Sequence, residues 1–85
     1  MKHNIYTIYD TKAEAFSLPF YYMHDGQALR TCQDWINNPE TPYAKHPEDY
    51  TLFKAGQYDE NTGTITQDKI ESIATFITLT QEKNQ

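Results

Sequence analysis

Cysteine is almost missing from this chain of 85 residues. The single Cys32 excludes an intrachain disulfide and fits a reducing compartment. Basic residues are scarce as well: seven Lys and Arg stand against twelve Asp and Glu, a net charge of −5. Proteins that hold nucleic acid chiefly by neutralising phosphates are usually basic, so any such surface here must be a local patch assembled by folding or by a dimer. No apolar run approaches the roughly 20 residues needed to span a bilayer. The first residues, MKHNIYTIYD, lack the apolar stretch and small-residue cleavage site of a signal peptide, so we expect a cytosolic protein with no membrane contact. Glycine is sparse too. Gly26, Gly56 and Gly63 stand alone and form no phosphate-cradling loop.

Aromatic residues partly offset an apolar fraction of only 38%, with seven Tyr and four Phe in so short a chain. There is room for one domain, which we place at residues 1–80 with a frayed tail over 81–85. A domain of this size is marginally stabilised by a single core, so a homodimer that buries a shared face is expected.

The segment His46 to Ile65 reads as one complete unit. Pro47 opens a tight turn through Glu48 and Asp49, a strand-like run spans Tyr50 to Tyr58, and Asp59-Glu60-Asn61-Thr62-Gly63 reverses the chain into Thr64-Ile65-Thr66. Asn4 to Tyr9 is β-branched and aromatic and reads as a strand. Its apolar groups fall on both parities, which predicts a central strand covered on both faces. Residues 16–23, FSLPFYYM, look extended, and Pro19 confines them to a sheet edge or a structured loop.

Asp25 is a good N-cap for a helix to about Asn37. Ala28, Leu29, Cys32, Trp35 and Ile36 form its core-facing stripe, and Asn38-Pro39 stops it. Pro39, Pro42 and Pro47 make the following segment a stiff loop. Ile70, Ile73, Ala74 and Ile77 recur at helical spacing and predict a second helix over about 67–80, with Asp68 and Glu71 in its first turn. The many Thr and Ile residues there leave a strand open. The fold expected is α+β: an antiparallel sheet of three to four strands, a firm helix at about 25–37 and a C-terminal helix.

Chemistry is hard to find in these residues. His3, His24 and His46 are far apart and lack ligand spacing, and Cys32 sits on an apolar helix stripe where it reads as a small buried hydrophobe. We expect no enzymatic function, no cofactor and no metal. What remains is a sheet face on which Tyr6, Tyr9, Phe53 and Tyr58 could stack bases, with Lys2, Arg30, Lys45 and Lys54 holding phosphates. Against this stands the plainer reading that the rings fill a small core or a dimer contact.

Four segments in a fixed order carry a family likeness: NIYTIYDTK from Asn4, ALRT from Ala28, HPEDYTLFKAGQYD from His46 and TGTI from Thr62. Together they resemble the small nonstructural protein of gokushoviruses, single-stranded DNA phages of the Microviridae. The resemblance implies a non-virion protein of the host bacterial cytoplasm. It also implies a DNA-binding role, or a counterpart of protein C of the related coliphages, which switches genome replication from duplex synthesis to single-strand production coupled to packaging. The family positions it implies are Tyr6, Asp10, Arg30, His46, Pro47, Leu52, Gly56 and Gly63, most of them fold determinants. Two functional expectations follow. One is weak single-stranded DNA contact through rings and cations. The other is an adaptor contacting the phage replication initiator or capsid precursor, marked by an exposed apolar patch away from basic residues. Convergence of Lys2, Lys12, Arg30, Lys45 and Lys54 on one face would favour the first.

Overall fold

The computed structural model describes residues 1–67 and 69–83, with side chains through Thr80. In chain order the strands are β1 (Lys2–Asp10), β2 (Ala15–Phe16) and β3 (Phe20–Tyr22), then β4 (Tyr50–Asp59), β5 (Thr64–Thr66) and β6 (Glu71–Thr75). The helices are α1 (Asp25–Asn37), α2 (Pro42–Lys45) and α3 (Phe76–Lys83), with a 3₁₀ turn at Pro47–Asp49. None of these helices is long and apolar enough to cross a membrane.

The sheet is antiparallel throughout, and β1 and β4 are its two central strands. β2 and β3 both pair with β1; β5 and β6 both pair with β4. Six strands among the described residues therefore occupy four positions, where the sequence predicted a sheet of three to four strands. At the first edge the discrepancy has a physical cause. Pro19 cannot donate to a ladder, so the first edge breaks at Ser17-Leu18-Pro19 and resumes at Phe20. The second edge is shared by β5, which ends at Thr66, and β6, which begins at Glu71.

The C-terminal region departs further from expectation. Residues 71–75 are strand, and the helix begins only at Phe76. β-Branched Ile73 and Thr75 suit a pleated edge, while Thr75 Oγ1 accepts from the Thr78 amide at 3.4 Å and opens α3. Of the tail predicted to fray, residues 81–83 continue α3, whereas residues 84 and 85 lie outside the described residues, as does residue 68.

Other local expectations hold in extent but not in every detail. α1 spans the predicted range, although its N-cap is His24, in extended backbone, whose amide donates to the Gln27 side chain at 3.1 Å. Asp25 is the first helical residue. The β4–β5 turn closes through Gly63 N–H to the Asp59 carbonyl at 2.8 Å, and Gly63 adopts the left-handed φ of 71° that glycine accepts without strain. The proline-rich connection, expected to be a stiff loop, instead holds two short helical turns: Pro42 stands at the first position of α2, which Thr41 caps with its hydroxyl, and Pro47 opens the 3₁₀ turn.

All three helices lie on one side of the sheet. The core there is Tyr6, Ile8, Ala28, Cys32, Leu52, Phe76 and Leu79, all buried. A chain of rings extends it: Tyr6 to Phe20 at 5.9 Å, Phe20 to Trp35 at 5.4 Å, Trp35 to Tyr43 at 5.5 Å and Tyr43 to Phe76 at 5.3 Å. This is how a chain poor in aliphatic residues fills its interior.

Candidate interaction face

Side chains alternate across a strand, so the register fixes what each side of the sheet carries. Tyr6, Ile8 and Asp10 of β1 oppose Lys54, Leu52 and Tyr50 of β4 on the helix side. Ala55 forms a bulge, as the register steps from Ile5–Gly56 to Tyr6–Lys54. On the other side lie His3, Ile5, Thr7 and Tyr9 of β1, opposed by Tyr58, Gly56, Phe53 and Thr51. Phe16 beside Tyr9, Tyr21 beside Ile5, Ile65 beside Tyr58, and Ser72 and Thr75 of β6 complete this face. Among the described residues, these strand positions include no Lys, Arg, Asp or Glu.

The open face has two features, at opposite ends of β1. At one end Tyr9, Phe16 and Phe53 form a ring cluster, with centroids 4.8 Å apart for Tyr9 and Phe16 and 5.7 Å for Phe16 and Phe53. At the other end His3, Tyr21, Tyr58 and Ile65 line a hollow of about 380 Å³. Exposure is large for apolar groups: 51% for Phe16, 51% for Tyr21 and 64% for Ile65. Between the two ends Ile5 and Thr7 are buried. At the rim, His3 Nε2 lies 3.2 Å from Glu60.

This arrangement divides the residues singled out from sequence. Tyr9, Phe53 and Tyr58 do share the open face. Tyr6 does not: it is fully buried on the helix side, where its hydroxyl donates to Asp25 at 2.5 Å and accepts from the Asn4 amide at 3.0 Å. Burial, reinforced by the Asp25 contact, raises its phenol well above the usual range. The cations lie elsewhere. Lys54 is on the helix side, 3.7 Å from Asp25; Lys2 opposes Asp59 on that same side. Arg30 is exposed on α1, near Tyr22, His24 and Gln27, and Lys45 ends α2. Lys12 is in the β1–β2 turn.

The expectation that β1 is covered on both faces is also corrected. The strand is central, but helices cover one face only, and Ile5 and Thr7 sit instead between the cross-strand neighbours Tyr21, Gly56 and Phe53. Sequence reasoning missed His3, Phe16, Tyr21 and Ile65 on the face. The alternation His3, Ile5, Thr7, Tyr9 carried a signal, since it is free of formal charge apart from a histidine.

Two further groups were candidates for chemistry. His46, Glu48 and Asp49 bring one ligand atom each within 4.8 Å of one another and could hold a cation, a grouping that the histidine spacing did not suggest. His46 and Glu48 are exposed there and pair at 3.7 Å. Cys32 is buried as expected, and burial pushes its thiol up to about 12, where it is a poor nucleophile.

Comparison with known proteins gives one family. The family model described as Phage ORF5 protein matches residues 3–79, nearly the whole chain, and the chain belongs to that family. No curated protein and no solved structure matches it.

Proposed function

We propose that this member of the Phage ORF5 protein family is a non-enzymatic interaction protein, active in phage genome replication or packaging, that docks its open sheet face onto a protein partner. The partner class is the one the gokushovirus resemblance suggests: the replication initiator or the capsid precursor, met in the host cytoplasm and not in the mature virion. The observation that carries this reading is the coincidence of exposed rings with described strand positions that hold no Lys, Arg, Asp or Glu on the same side of the sheet, Glu60 meeting it only at the rim. Uncharged aromatic surface of this kind gains by leaving water against another apolar surface. A phosphate backbone would instead demand cations, and Lys2, Lys12, Arg30, Lys45 and Lys54 are dispersed over the helix side and the loops.

A second reading rests on a specific observation, the grouping of Tyr9, Phe53 and Tyr58 on one accessible face. Such rings stack on the bases of single-stranded DNA at about 1–3 kcal/mol each. With few phosphate contacts, that binding would be weak and would fall only slightly as salt rises.

A photo-crosslinking amino acid at position 16 or 21, in phage-infected cells, separates the readings. The expected result is covalent adducts to a phage replication or capsid protein from both positions. Adducts to nucleic acid alone would transfer the function to the stacking reading, and the absence of any phage-protein adduct would overturn the adaptor.

A further inference from the structure

We propose that the open face also joins two copies of this chain, sheet upon sheet, about a twofold axis that lies in the interface and crosses β1. The proposal rests on the reading of this face as an interaction surface: the second copy covers it in the free protein and leaves when the phage partner docks, and three observations select that second copy.

Charge comes first. Each chain carries −5, so two copies repel one another wherever acidic surface meets acidic surface. The open face is the side of the sheet whose described strand positions carry no Asp or Glu, and Glu60 at its rim is paired with His3, so copies can approach there with few like charges between them.

Shape is the second. A twofold contact is isologous: the patch must be complementary to itself, each end fitting the partner's other end. Here the Tyr9–Phe16–Phe53 cluster stands at one end of β1, and the hollow lined by His3, Tyr21, Tyr58 and Ile65 stands at the other. From His3 to Tyr9 is six residues, roughly 20 Å along the strand. An axis through the middle of the face reverses β1, so each cluster faces the partner's hollow. The match holds across the sheet too, because each feature draws on the β2–β3 edge, on β1 and on β4. The uncharged Ile5 and Thr7 lie near the axis.

Area is the third. A stable dimer buries about 800 Å² from each partner, which is about one-seventh of this chain's 5647 Å² surface. Phe16, Tyr21 and Ile65 are each at least half exposed and contribute to that extent, and sheets stacked in this way form the two-layer sandwich in which exposed rings become core.

The test is sedimentation equilibrium on the full chain. The wild type should have twice the 10.0 kDa mass of the monomer. Phe16→Lys and Tyr21→Glu, each with an unchanged circular dichroism spectrum, should each dissociate the dimer roughly a hundredfold or more, because a buried charge has no counterpart. Since position 16 of one copy is set over the hollow that holds position 21 of the other, mixing Phe16→Lys with Tyr21→Glu should restore dimers. Mixing Phe16→Lys with Phe16→Glu should not. A monomeric wild type, single variants that remain dimeric, or a mixture without rescue would each overturn the inference. A monomeric wild type would leave phage-protein adducts from infected cells unaffected, so this inference can fail while the adaptor reading stands.

Discussion

The two sides of one sheet tell different stories although they share the same strands. Moving one residue along β1, from Thr7 to Ile8, passes from a side without helices to one packed under α1 and α3. On the covered side polar groups are present but paired: Tyr6 with Asp25, Asn4 with Gln57, Lys54 with Asp25. A buried polar group without a partner would be costly, so each has one. At the described strand positions of the open side polarity is reduced to hydroxyls and one histidine, which Glu60 meets at the rim, and rings associate chiefly with each other. The lesson is that the covered side is organised to be finished within one chain, and the open side is not.

The largest effect should come from truncating a covered ring and an open one in parallel. Phe76→Ala removes a fully buried side chain and is expected to lower unfolding free energy by about 3–5 kcal/mol. Phe16→Ala, on a half-exposed ring, should change it by only about 1 kcal/mol in dilute solution, where association does not contribute. Urea titration measures both. Equal losses would erase the distinction between the sides.

A smaller but sharper effect is expected at Gly56. A Cβ there would stand 2.4 Å from the Thr66 carbonyl oxygen, a backbone atom with little freedom to yield. Gly56→Ala should cost about 1–3 kcal/mol and loosen β5, seen as faster amide exchange at residues 64–66. Unchanged exchange there would show that the edge tolerates the extra methyl.

The third expectation concerns pH and touches only the covered side. Burial raises Cys32 from its ordinary 9.0 to about 12 and raises Tyr6 and Tyr43 above their ordinary 10.0. The folded state thus holds protons that the unfolded chain releases. Their contribution to stability is complete below about pH 9 and is lost as pH climbs through the raised values. Midpoints of thermal unfolding should fall from pH 9 upward, and Cys32→Ala should remove part of that slope without abolishing it. A flat profile to pH 11 would contradict the burial of these groups. The smallest effect is reserved for Lys54→Gln, which breaks a partly exposed ion pair and should change stability by less than about 1 kcal/mol.

Much of the covered side could be read from the residues alone. The α1 stripe with Cys32, the Asp59–Gly63 turn and the long β4 strand are local patterns, in which spacing and turn chemistry decide the outcome. The C-terminal segment was less legible because its isoleucines satisfy a helical spacing while their branching favours a strand. The structure divides the segment, with strand to Thr75 and helix from Phe76. Thr75 was the readable clue, a capping residue placed directly before the first helical turn. The open face was least legible. A ring at Tyr6 and a ring at Tyr9 look alike in sequence, yet one lies under a helix and the other faces water, and only the packing of α1 on one side of the sheet separates them.

Hydroxyl-radical footprinting of the chain, purified at high dilution and again within infected cells, is the most direct measurement. Strong oxidation of Phe16, Tyr21 and Tyr58 is expected in the dilute protein, with protection of those same rings in cells and Tyr6 and Phe76 unlabelled in both. Rings on the open side oxidised equally in both conditions, with protection instead around Arg30 and Lys45, would contradict it.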